Sequence, residues 1–173
     1  MILRREGYRM EKNTLVAYAS KRGATTEIAT KIGEVLRQKG LQVDVLPVDK
    51  VKNLAPYRTV AIGSAVYFGL WRKEAVKFIS ENEKQLLKLS VWLFSSGPTG
   101  AGDPLELTKG WRFPESLRSV LERIKPRGIT CFGGKLDPKT MNFFEKMIAN
   151  KVQSPIGDFR NWEAITSWAK ALN

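Results

Sequence analysis

The 173-residue chain contains no histidine and a single cysteine, Cys131. The first absence removes histidine general bases, Ser-His-Asp triads and most zinc sites at once. The second rules out an intramolecular disulfide and a thiolate cluster, and a lone thiol suits a reducing compartment. We therefore expect no catalytic side chain of the usual acid–base kind and no metal site. Demanding chemistry has to come from a bound organic cofactor, with the protein supplying position and charge. Long apolar runs are also missing: no stretch approaches the roughly 20 residues that cross a bilayer. Residues 1–9, MILRREGYR, lack the apolar core of a signal peptide. Residues 1–12 read as a basic extension in which Met10 is an alternative start to Met1, and 13–173 as one domain. The expected location is the cytoplasm, with the inner face of the membrane as a peripheral site.

Negative charge is scarce too. The 29 Lys and Arg against 17 Asp and Glu leave a net charge of +12, which favours anionic partners. The stretch 109–151 alone holds ten basic and four acidic residues, a local +6. Nucleic acid is not the expected partner, because no recognition helix or basic–aromatic interleaving accompanies the charge.

What is present alternates between two periods. Short apolar runs at Thr14–Ala19, Leu41–Leu46, Thr59–Gly63, Leu89–Phe94 and Gly128–Phe132 read as strands. Between them lie helical stripes: Ile28, Ile32, Val35 and Leu36; Ala75, Val76 and Ile79; Leu117, Val120, Leu121 and Ile124. Thr25 or Thr26 is the expected cap of the first helix and Gly40 its stop. Trp162, Ile165, Ala169 and Leu172 mark a last helix opened by Asn161. Strands alternating with helices imply a doubly wound five-stranded parallel sheet, order 2-1-3-4-5, with helices on both faces. Ligands of such sheets bind at the carboxyl ends of the strands, beside the switch point.

Three loops meet there, and we expect them to begin at Ser20, Ser64 and Ser95. The first, SKRGAT (20–25), has hydroxyl residues at both ends, a permissive glycine and a helix start, which together suit a phosphate. It matches neither a Walker A loop nor a dinucleotide fingerprint; a plain βα turn with a capping threonine uses the same residues. The second, GSAVYFGLW (63–71), crowds Tyr67, Phe68 and Trp71 where a polar loop is usual. Aromatics there serve the core or form a platform for a flat ligand. The third opens an 18-residue stretch, 97–114, with four glycines and three prolines, a length that is often functional. Phosphate grip, aromatic wall and amide-rich wall describe a site for a planar ring with a phosphate tail.

The SKRGAT loop resembles the FMN-phosphate loop of flavodoxins, and SAVYFG (64–69) resembles their isoalloxazine-flanking segment. The resemblance runs from Thr14 to the C-terminus. GSAVYFG (63–69), FGGKLD (132–137) with MNFFEKMI (141–148), and GDFRNWEAI (157–165) are similar more narrowly to the flavodoxin-type, quinone-dependent protoporphyrinogen oxidases. The resemblance implies a flavodoxin-like fold with FMN as cofactor. Ser20, Lys21, Arg22, Gly23, Ala24 and Thr25 would then form the phosphate loop. Ala65, Val66, Tyr67, Phe68 and Gly69, with Ser96, Gly97, Pro98, Thr99 and Gly100, would contact the ring. The implied activity is electron transfer from a reduced tetrapyrrole through the flavin to a quinone; the alternative is a flavodoxin-type electron carrier without its own substrate. The third loop is richer in glycine than the oxidase pattern, which bears on substrate more than cofactor.

One more helix is expected over 139–151. Met141, Phe144, Ile148 and Val152 share a stripe that Phe143 and Met147 widen, rimmed by Lys139, Lys146 and Lys151. Such a face is either wedged into the domain or exposed to a membrane or partner. Cys131, at a strand end, reads as packing.

Overall fold

A computed structural model describes residues 14–172; the basic extension and the two candidate starts lie outside the described residues. In chain order the elements are β1 (Thr14–Ala19), α1 (Ala24–Gln38), β2 (Val43–Pro47), β3 (Thr59–Tyr67), β4 (Leu70–Trp71), α2 (Lys73–Glu81) and α3 (Glu83–Leu86). There follow β5 (Ser90–Ser96), α4 (Pro104–Leu107), α5 (Arg118–Ile124), β6 (Gly128–Phe132), β7 (Lys135–Leu136), α6 (Phe143–Lys151), β8 (Gly157–Asp158) and α7 (Trp162–Ala171). The main sheet runs β2-β1-β3-β5-β6 with every neighbour parallel, the expected doubly wound order. To it are added β4, a short antiparallel return on β3, and a separate β7–β8 ribbon.

Alternation along the strands divides the core. Leu15 and Ala17 of β1, Val60 and Ile62 of β3, and Val91 and Leu93 of β5 face Ala75, Phe78 and Ile79 of α2, Leu86 of α3 and Leu121 of α5. The intervening Val16, Ala61 and Phe94 face Ile28, Ile32 and Leu36 of α1 and Ile165 and Ala169 of α7. Each such large aliphatic side chain contributes about 1.5–3 kcal/mol by leaving water. Phe94 sits so close to the sheet that a Cβ at Gly63 would lie 2.0 Å from its ring, so only glycine fits at this point of β3.

The central strands outrun their apolar stretches. β3 continues to Tyr67 and β5 to Ser96, so Ser64 and Ser95 are strand residues and not the first residues of loops. Ser64 pairs with Ala19 on one side and Ser95 on the other, and strand hydrogen bonding continues wherever both neighbours continue. The hydroxyls are satisfied locally: Arg72 N donates to Ser64 Oγ at 2.9 Å, and Ser95 Oγ donates to the Arg112 carbonyl at 2.9 Å. At the other sheet edge β2 begins at Val43, two residues after the expected start.

Helix α6 starts at Phe143, after a 3-10 turn over Pro138–Thr140. Asn142 and Glu145 cap it reciprocally, each side chain bonded to the other's backbone N–H at 2.9 Å, a full capping box. No α6 residue is buried. Phe143 is 76% exposed, Phe144 68% and Met147 51%, so these three face outward. Met141 is buried, and both Met141 and Val152 line the neighbouring cleft; the expected stripe is split between solvent and cleft. The last helix behaves as expected: Asn161 Oδ1 accepts from Ala164 N at 2.9 Å.

Candidate flavin site

The loops after β1, β3 and β5 open into one cleft of about 750 Å³, closed on its far side by α6 and the β7 segment. Its first wall is the turn between β1 and α1. Gly23, at φ 87°, caps the helix, so α1 begins before Thr25 and Thr26, the expected capping residues. The left-handed conformation that glycine tolerates turns the chain there, and Ser20 Oγ accepts from Gly23 N at 3.1 Å. Thr25 consequently lies inside the first turn, 1% exposed. Its Oγ1 is buried with no hydrogen-bond partner. The first amides of α1 have no preceding carbonyls to meet them and carry the positive end of the helix dipole. A buried hydroxyl in want of a partner beside such amides is a cradle for an anion.

The second wall is the β3–β4 hairpin. Phe68 (φ 53°) and Gly69 (φ 73°) make its two-residue turn, with Val66 facing Trp71 and Tyr67 facing Leu70. The turn swings Trp71 back into the core, where it is buried and donates through Nε1 to Ser95 Oγ at 2.8 Å. Trp71 is therefore a core anchor and not part of an aromatic platform. Tyr67 does face the cleft, with the Lys21 and Arg22 cations each 5.4 Å from its ring centroid. The third wall is Ser96 to Thr99, laced to the loop after β6 by Gly134 N donating to the Pro98 carbonyl at 2.8 Å.

Of the residues expected from sequence, Ser20, Lys21, Arg22, Ala24 and Thr25 line the cleft, as do Ala65, Val66, Tyr67, Phe68 and Gly69, and Ser96, Gly97, Pro98 and Thr99. Gly23 shapes the turn without forming wall. Gly100, beside Leu107 and Pro155, is not among the residues that form the wall. Sequence reasoning missed Arg72, Trp111, Lys135 and Glu145, all of which line the same space. For Glu145 a signal existed: an Asn three residues before a Glu marks a helix start, but nothing local told where that helix would lie.

Glu145 changes the electrostatics of the first wall. Its carboxylate pairs with Lys21 and, at 2.5 Å, with Arg22. The Arg22 guanidinium, then the Lys21 ammonium, hold its pKa down to about 2. Cys131 is the reverse case: burial pushes its thiol up to about 12, leaving it protonated and inert. Among the described residues there is no group of three or more carboxylates and cysteines placed to hold a metal ion.

The model of the flavodoxin domain family matches residues 15–161. The chain belongs to this family. Its cofactor is FMN, and the orphaned Thr25 hydroxyl, the free helix amides and the Tyr67 wall fit that group. Solved structures show the same fold. The rubredoxin:oxygen oxidoreductase of Desulfovibrio gigas aligns over 93% of this flavodoxin-domain chain and 35% of its own, with 12% identity and a TM-score of 0.60. The oxidised flavodoxin 2 of Bacillus cereus covers 92% and 96%, at 19% identity and a TM-score of 0.55. A flavodoxin from the domain Archaea covers 82% and 99%, at 20% and 0.52. No curated protein matches the chain.

Proposed function

We propose that Ser20, Thr25 and the loop amides of 21–24 hold the FMN phosphate, while Ala65 to Gly69 and Ser96 to Thr99 flank the ring. Gly23 shapes the loop. The observation that carries this reading is the buried Thr25 hydroxyl without a partner, at the switch point where this fold binds its ligands. When bound, FMN supplies the redox chemistry, which we assign to transfer of reducing equivalents from a reduced tetrapyrrole to a quinone. The protein's part is to bind, orient and exclude water.

The same cleft carries support for a substrate of its own. Arg72 lines it with a buried Nε that lacks a partner, although its Nη2 meets Glu74 at 2.7 Å. With Lys135 and the Trp111 ring in the same wall, this suits a planar ligand bearing carboxylates, as a tetrapyrrole does. The outward face of α6, with Lys139, Lys146 and Lys151 around its apolar residues, suits peripheral contact with an anionic membrane surface, where a quinone resides. Among the described residues no helix is long and apolar enough to cross a membrane.

The second reading is an electron carrier without its own substrate. It is favoured by the hairpin tip, where Phe68 is 72% exposed at the mouth of the cleft, as a transient protein partner would require. An anaerobic assay of FMN-loaded protein with protoporphyrinogen and a menaquinone analogue separates the two. Turnover abolished by Arg72→Met supports the enzyme; a flavin reduced and reoxidised by protein partners, with no tetrapyrrole turnover, supports the carrier. Co-sedimentation with phosphatidylglycerol vesicles, lost in Phe143→Ser/Phe144→Ser, tests the membrane contact.

A further inference from the structure

Lys21 and Arg22 are the two cations of the phosphate loop, yet both are already matched. One carboxylate from α6, a helix that arrives 124 residues later, takes both of them. The arrangement is specific. One Glu145 oxygen accepts from Lys21 and the other pairs with Arg22 at 2.5 Å, while Oε2 also accepts from Asn142 N at 2.9 Å. Arg22 and Glu145 are mostly shielded, with side chains 12% and 18% exposed. Both cations lie over the Tyr67 ring, and all four side chains line the cleft. The α6 helix has no buried residue, so this ion-pair cluster is a principal tie between it and the first wall.

We propose that Glu145 is an intramolecular competitor of the cofactor phosphate: its carboxylate occupies Lys21 and Arg22, sets their charge toward the loop, and weakens FMN binding. This rests on the reading of residues 20–25 as the phosphate loop. A phosphate entering that loop meets a carboxylate of like sign beside it and two cations already paired. Removing the carboxylate charge relieves the repulsion and frees both cations. Because the pairing is charge for charge, the effect is confined to ligands that carry the phosphate and grows as salt is lowered.

The test is Glu145→Gln, a change that keeps the capping box because glutamine serves at that helix position. Dissociation constants of FMN and of riboflavin, which lacks the phosphate, are measured by fluorescence quenching at low and high salt, alongside thermal melts of the cofactor-free proteins. The expected result is FMN binding tightened about fivefold to tenfold at low salt, a range typical of coupled sites, with riboflavin unchanged and the gain shrinking at high salt. In Lys21→Met/Arg22→Met/Glu145→Gln, with the competitor and its partners all removed, the gain disappears. FMN binding unchanged or weakened by Glu145→Gln in a folded protein overturns the proposal, and so does an equal gain for riboflavin. Failure of the parent protein to prefer FMN over riboflavin is a different outcome: it overturns the phosphate-loop reading and this proposal with it.

Discussion

The Thr25 hydroxyl gives opposite predictions for stability and for binding, and Thr25→Val exposes both. Valine has the shape of threonine, and the side chain is 1% exposed, so packing is retained. In the cofactor-free protein the hydroxyl is buried without a partner, a condition that costs about 1–3 kcal/mol. Replacing it with a methyl group should raise apo stability by about 1 kcal/mol, a rise in Tm of roughly 2–4 °C for a domain of this size. Binding moves the other way. A hydrogen bond to a charged phosphate contributes about 1.5–3 kcal/mol, so FMN affinity should fall about 10- to 150-fold. Riboflavin, lacking the phosphate, should bind both proteins alike. Calorimetric melts of the apo proteins and quenching titrations with the two flavins measure all three quantities. A lower Tm for Thr25→Val would refute the claim that the hydroxyl is unsatisfied. An FMN affinity within twofold of the parent would refute its role in the phosphate site.

Arg160 ties the end of the chain to the back of the same loop. Its side chain is 2% exposed, bonded to Asp158 at 2.6 and 2.8 Å, to Glu27 at 2.8 Å and to the Ala24 carbonyl at 3.3 Å. Arg160→Met leaves two carboxylates, Glu27 and Asp158, that are 52% and 40% exposed and reach water. The loss is therefore that of the hydrogen bonds to the charged group, about 1.5–3 kcal/mol, read as a lower urea midpoint. Glu145 predicts an acid dependence. Its folded pKa, about 2, lies below the ordinary 4.5, so its stabilising contribution is complete above pH 4.5 and is lost as pH falls toward 2. The urea midpoints of the parent and Glu145→Gln, separate at pH 6, should draw together as pH falls below 4.5 and meet only once pH has passed below about 2. Finally, the cations lining the cleft favour negative charge on the reduced flavin. A redox titration should give a two-electron potential less negative than that of acidic flavodoxins, and Arg72→Met should lower it.

Local pattern made the frame of the fold legible. Thr14–Ala19 and Gly128–Phe132 are strands with the bounds their apolar runs suggest, because a buried parallel strand needs little besides apolar side chains and a turn at its end. The strand order followed from the alternation of strands and helices. Less legible was the point at which β3 stops. Ser64 and Ala65 would suit a loop equally well; they are strand because β1 and β5 run beside them and Arg72 N satisfies the serine hydroxyl. Trp71 misled for a related reason. An aromatic residue four positions from Tyr67 fits a ligand platform as well as a core, and only the left-handed Phe68-Gly69 turn decides that it points inward.

The charges of the site were the least legible part, and the reason is physical. A loop's amides and its glycine act through covalent neighbours, so SKRGAT carries the turn proposed to hold the phosphate within six residues, built from Ser20, Gly23 and the start of α1. A cation's effect depends on whichever counter-charge the fold brings within about 4 Å. For Lys21 and Arg22 that counter-charge is Glu145, on a helix whose stripe of Phe144, Ile148 and Val152 marks it as amphipathic without saying which way it turns. In the structure α6 turns Phe143, Phe144 and Met147 to solvent and Glu145, with Ala149, to the cleft. One helix orientation thus accounts both for the exposed phenylalanines and for the carboxylate that pairs with Lys21 and Arg22.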